Sequence, residues 1–199
     1  MENIQQTIVF IVSIVLIVLV AFLVFKKQHQ IMNSPNESIN ADKVKQLDKN
    51  GSVFKDIILD DHKIDTLMVT KKGIFVVQTK NYNGYIFGED DDENWILKLK
   101  LPIEENGQKI SKRSFLNPIK ENEKRKESLL NLLGKDYPVF SVIVFSDKCE
   151  LGDIGVYHRE TYICNRFLLE SIIDGINNSS VNTLDENDID YISNKIENI

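Results

Sequence analysis

Residues 7–25, TIVFIVSIVLIVLVAFLVF, hold no charged residue, no proline and no glycine. At about 1.5 Å of rise per residue, such a run reaches roughly 30 Å, the hydrocarbon thickness of a bilayer. Within lipid every backbone N–H and C=O must be satisfied inside the segment, and a single segment does this only as a helix. A secretory signal would place basic residues before the run and a small-residue cleavage site after it. Here MENIQQ precedes the run, with an acid and no base, and Lys26 and Lys27 follow it directly. The run is expected to remain as an anchor. Flanking lysines stay cytoplasmic, so a single-pass protein of the cell membrane is expected, with its C-terminal domain in the cytoplasm. The lipid bilayer is its first expected partner.

Residues 28–36 include Asn33, Ser34, Pro35 and Asn36 in sequence and read as a polar tether after the anchor at 1–27. About 160 residues remain, enough for one domain with its own core. The boundaries expected are a domain over 37–176, then a linker and helix over 177–199. With 42% hydrophobic and 27% charged residues, wholesale disorder is excluded. The net charge of -6 removes the simplest argument for a nucleic-acid binder. Cys149 and Cys164 form no C-x-x-C pair, and His29, His62 and His158 are scattered. Zinc is therefore not expected, and both cysteines read as reduced residues in or near the core.

A short helix is expected at 40–47, with Asn40 as its cap. Strands are expected at 53–59, 63–70 and 73–80, with Gly73 closing a tight turn where positive φ is needed. A further strand at 82–87 looks broken by Gly84, and 95–99 alternates as a strand. Asn117-Pro118 opens a helix that Gly134 stops. The run at 139–145 is almost wholly apolar, as in a strand buried on both faces. A short strand at 161–164 and amphipathic helices at 166–176 and 186–196 complete the chain. This order predicts an α/β fold, a mixed sheet flanked by helices.

Gln78 and Lys80 are two apart on one strand and share a face. Asp65 lies on the preceding strand of the same hairpin. A carboxylate, an amide oxygen and a lysine at one sheet edge suit metal-assisted phosphodiester cleavage. Asp65 and Gln78 would hold a divalent cation, with Mg2+ expected and Mn2+ its alternative, because both prefer hard oxygen ligands. Lys80 would position water or offset developing charge. Spacing alone fits a polar strand end with a solvated lysine better than a metal site.

KIDTLMVTKKGIFVVQTKNYNGYIFG, then Trp95, then SFLNPIKENEKRKESLLNLL, then FSVIVFSD together resemble the nuclease-related domain, NERD. The resemblance runs from about Glu37 to Ile176. It implies a restriction-endonuclease-like fold of the PD-(D/E)XK type, and a membrane anchor ahead of the domain is common in that family. By this resemblance Asp65 takes the place of the metal-binding aspartate and Lys80 that of the lysine, with Asn81 following. Glu37 takes the place of a supporting acid on the first helix. Two positions depart from the pattern. Gln78 stands where glutamate is usual, and Glu121 where glutamine is usual. An amide oxygen ligates magnesium without adding charge, so the cation should be held more weakly. Glu121 would restore a charge if its helix starts near the site.

The acidic stretch 89–93, EDDDE, reads as a solvated turn. Lys109, Lys112, Arg113, Lys120, Lys124, Arg125 and Lys126 form a basic strip, but acids interleaved with them leave a mixed-sign surface. Trp95 is expected in the core. Two function classes stay open: a metal-dependent nuclease acting on DNA or RNA, and a non-catalytic membrane-tethered module that binds nucleic acid or protein.

Overall fold

The computed structural model describes residues 51–100, 110–158, 160–178 and 183–199. The expected anchor at 7–25, the helix at 40–47, Glu37 and Lys109 lie outside them. Among the described residues no helix is long and apolar enough to cross a membrane.

Two mixed sheets form, where the sequence suggested one. The first has five strands in the order β1 (Ser52–Leu59), β2 (His62–Thr70), β3 (Gly73–Lys80), β7 (Val139–Phe145), β9 (Thr161–Asn165). β1, β2 and β3 are antiparallel, and β7 and β9 run parallel to β3. Asp60 and Asp61 both take positive φ and close the β1–β2 hairpin in two residues. Gly73 stands at φ 145, where an added Cβ would lie 2.5 Å from the Pro138 carbonyl oxygen.

The second sheet has the order β6 (Ile110–Leu116), β5 (Asn94–Lys100), β4 (Gly84–Glu89), β8 (Cys149–Gly155). Gly84 begins β4 rather than breaking it, and β6 and β8 had no counterpart in the sequence reading.

Helix α1 (Pro118–Leu133) is capped by Asn117, whose side chain accepts from the Ile119 amide. Gly134 ends the helix in the left-handed conformation at φ 67. Helix α2 (Leu169–Asn177) follows a 3-10 turn at Arg166–Leu168, so the first residues of the expected helix are wound more tightly. Helix α3 (Glu186–Glu197) carries a capping box between Asp185 and Asp188.

These helices cover both faces of the first sheet. On one face Leu67, Val69, Ile74 and Val76 pack with Leu129 and Leu133 of α1 and with Ile189, Ile192 and Ile196 of α3. On the other, Met68, Phe75, Val77, Val142 and Val144 pack with Leu169, Ile173 and Ile176 of α2. A third core joins the sheets. Trp95, Ile86 and Leu97 of the second sheet meet Ile143 and Phe145 of β7 and Ile119 from the first turn of α1. The α1 N-terminus is thereby wedged where the two sheets meet, beside the ends of β3 and β7. This mixed α/β arrangement is consistent with the restriction-endonuclease-like fold.

Candidate active site

The β2–β3 ladder closes at Thr66↔Val77, and one further step along the register sets Asp65 opposite Gln78. Asp65 has no ladder partner on β1 either, because pairing there skips from Thr66 to Ile64. The opposite residue, Asp56, takes a φ of 54 and breaks the regular strand. In place of a ladder bond, the Thr79 amide donates to Asp65 Oδ2 at 2.8 Å. That bond holds the Asp65 carboxylate against the segment carrying Gln78 and Lys80.

Glu121 closes the group from the helix side. It lies in the first turn of α1, and its Oε2 accepts from Lys80 Nζ at 2.6 Å and from Gln78 Nε2 at 3.2 Å. Gln78 is 4% exposed, and its Oε1 is buried with no hydrogen-bond partner among the described residues. The amide donor faces a carboxylate, so the acceptor is the end left over. Parallel pairing sets Gln78 beside Ile143 and Lys80 beside Phe145. The Tyr82 ring lies 6.2 Å from that of Phe145. Burial, reinforced by the charge of Glu121, pushes the Tyr82 phenol up to about 12.

The structure thus brings Gln78, Lys80 and Glu121 into contact, with Asp65 tied to the adjoining Thr79. It turns Asn81 elsewhere: Asn81 Oδ1 accepts from Arg166 Nη2 at 2.8 Å, at the end of β9. Sequence reasoning missed Asn122, which is fully buried and donates to the Val76 carbonyl and to Ser141 Oγ, both at 2.9 Å. An asparagine inside a helix that packs on a sheet was its one visible signal.

The surroundings agree with two further readings: the acidic stretch is a turn exposed at Glu89, Asp91, Asp92 and Glu93, and the basic residues mix with acids. The acidic stretch is a held turn, with the carbonyls of Glu89, Asp90 and Asp92 all accepting from Asn117 Nδ2. Asp90 is 9% exposed, and its carboxylate accepts from the Tyr157 amide. The basic strip is dispersed: Lys112 and Arg113 lie on β6, Lys120 pairs with Glu93, and Lys126 with Glu160. Trp95 is fully buried, and Cys149 and Cys164 are buried and unbridged.

Among the described residues no three His, Cys, Asp or Glu side chains gather as a metal group. The oxygen donors on these neighbouring elements are the Glu121 carboxylate, which touches Lys80 and Gln78, the orphaned amide oxygen of Gln78, and the Asp65 carboxylate, which the register sets opposite Gln78. All are hard oxygens, and the set fits magnesium or manganese and not zinc.

Residues 34–146 match the nuclease-related domain family, NERD, and this is more than half of the chain. The chain belongs to that family. It is also 31% identical over 104 residues to an uncharacterized protein of Bacillus anthracis, a match covering 52% of this chain and 45% of the relative. The chain therefore spans less than half the length of that curated relative. No solved structure matches it.

Proposed function

We propose that the chain is a membrane-anchored, metal-dependent nuclease that hydrolyses phosphodiesters of DNA or RNA. The observation that carries this reading is the meeting of β3 and α1: Lys80 and Gln78 share one Glu121 oxygen, while the Thr79 amide of the same strand fixes the Asp65 carboxylate. A bound divalent cation would polarise the phosphate and acidify a water.

The chain's own residues supply the rest. Asp65 presents a carboxylate whose rotamer is set by the Thr79 amide, so it is preorganised for a ligand. Gln78 offers a neutral oxygen from the floor of the site. Lys80 carries its ammonium to the same point and would orient the attacking water or offset charge growing on the phosphate. The anchor at 7–25 and its two following lysines support a site on the cytoplasmic face of a membrane.

A non-catalytic binding module is the second reading. It is favoured by the amide at position 78 and by the absence, among the described residues, of a three-member acidic or imidazole group. Cleavage assays separate the two. The 199-residue chain in detergent, given Mg2+ or Mn2+, is tested on single- and double-stranded DNA and RNA. Cleavage that Asp65→Ala and Lys80→Ala both abolish is expected. Equal products from wild type and both variants on every substrate would leave the binding module as the reading.

A further inference from the structure

We infer that Glu121 of α1 supplies the second carboxylate of the cation site, and that Lys80 is the cation's competitor for it. This rests on the nuclease reading above and names the residues that tune it.

Three observations carry the inference. Glu121 reaches the strand pair from a different element, yet its Oε2 touches both functional side chains of β3, at 2.6 Å from Lys80 Nζ and 3.2 Å from Gln78 Nε2. Gln78 is more than nine-tenths buried, with Oε1 unpartnered. A buried acceptor without a donor is costly, and a hard cation would satisfy it. Asp65 uses Oδ2 for the Thr79 amide, and no other hydrogen bond occupies it among the described residues. Glu121 thus brings an acid to the two polar side chains of β3, which alone offers none, and the register sets Asp65 opposite Gln78.

Two consequences follow from the contacts. Gln78 and Glu121 touch, so the acid and the amide are exchangeable across the contact, and a double swap returns the same groups to the same place. Lys80 and a cation need the same Glu121 oxygen. Glu121 Oε2, if it held a cation, would no longer hold the Lys80 ammonium, so metal binding would be coupled to the placement of the lysine.

Calorimetric titration of Mn2+ into the full chain in detergent tests this, with melting temperature in EDTA reporting the fold of each variant. Wild type is expected to bind, and Asp65→Ala to lose binding. Glu121→Gln should weaken affinity by about tenfold or more, since even residues behind the direct ligands cost that much. Adding Gln78→Glu to Glu121→Gln should recover most of the loss, and Lys80→Met should bind more tightly than wild type.

Wild-type affinity in Glu121→Gln, or a double swap as weak as that single variant, overturns the inference while leaving the nuclease reading in place. A wild-type chain that takes up no manganese overturns both. Should Glu121→Gln melt early, Lys80→Met decides: weaker binding than wild type contradicts the competition.

Discussion

Asn122 fastens α1 to the sheet. Its Nδ2 bonds to β3 and β7 at once, through the Val76 carbonyl and Ser141 Oγ. Asn122→Ala removes both bonds from a buried site, at about 0.5–1.5 kcal/mol each and so about 1–3 kcal/mol together. Asn122 Oδ1 already lacks a partner among the described residues, so the loss in urea unfolding is expected near the lower end. Glu121 is the next residue, and the same substitution should also loosen the site. The cysteines make a second prediction at this scale. Burial pushes both thiols up to about 11, so neither is ionised near neutrality. A thiol reagent at pH 8 is expected to label neither in the native chain and both after denaturation; fast native labelling would place them nearer solvent. Much of the site was legible residue by residue, because the two-residue period of a strand sets Gln78 and Lys80 on one face. The Glu121 contact was not, because Asn117 announces where a helix starts and says nothing of what its first turn meets.

α3 is the element whose contribution is easiest to test. Ile189, Ile192 and Ile196 enter the same core as β2, β3 and α1, and the Thr183 and Leu184 amides both donate to the Lys71 carbonyl. Ile192→Ala should cost about 2–5 kcal/mol, the range for truncating a buried aliphatic side chain, and a change under 1 kcal/mol in denaturant would show α3 undocked. The helix start adds a pH dependence. The Lys135 ammonium, with the Asp185 amide and the Tyr137 hydroxyl, holds the Asp188 carboxyl below the usual carboxylate value. A carboxyl lowered in the folded state adds stability above its unfolded pKa and loses it as pH falls toward the folded one. Asp188→Asn is therefore expected to be less stable than wild type at pH 7, with the difference closing below about pH 4. Legibility at this scale followed burial. β2, β3 and β7 lie inside the first sheet and announce themselves by apolar runs. β6, ISKRSFL, and β8, CELGDIG, are the two edges of the second sheet. Edges face solvent, carry charge and glycine, and lack the alternation that marks a half-buried strand.

At the scale of the molecule, two sheets and α1 converge on one place, the C-terminal end of β3. The third core sets that geometry, since Ile119 and Phe145 belong to it and neighbour the site's elements. The proposed anchor makes a separate prediction. The chain should sediment with membranes and stay there in alkaline carbonate, and deletion of residues 1–27 should release it. Release of the intact chain by carbonate would argue against a span.

The central claim is that one cation is held between Asp65 of β2, Gln78 of β3 and Glu121 of α1. Anomalous scattering from crystals of the chain grown with Mn2+ tests it most directly. A peak within bonding reach of the Asp65 and Glu121 carboxylates and of Gln78 Oε1 is the predicted result. A peak only at the acidic turn 89–93, or no peak at all, would contradict the account.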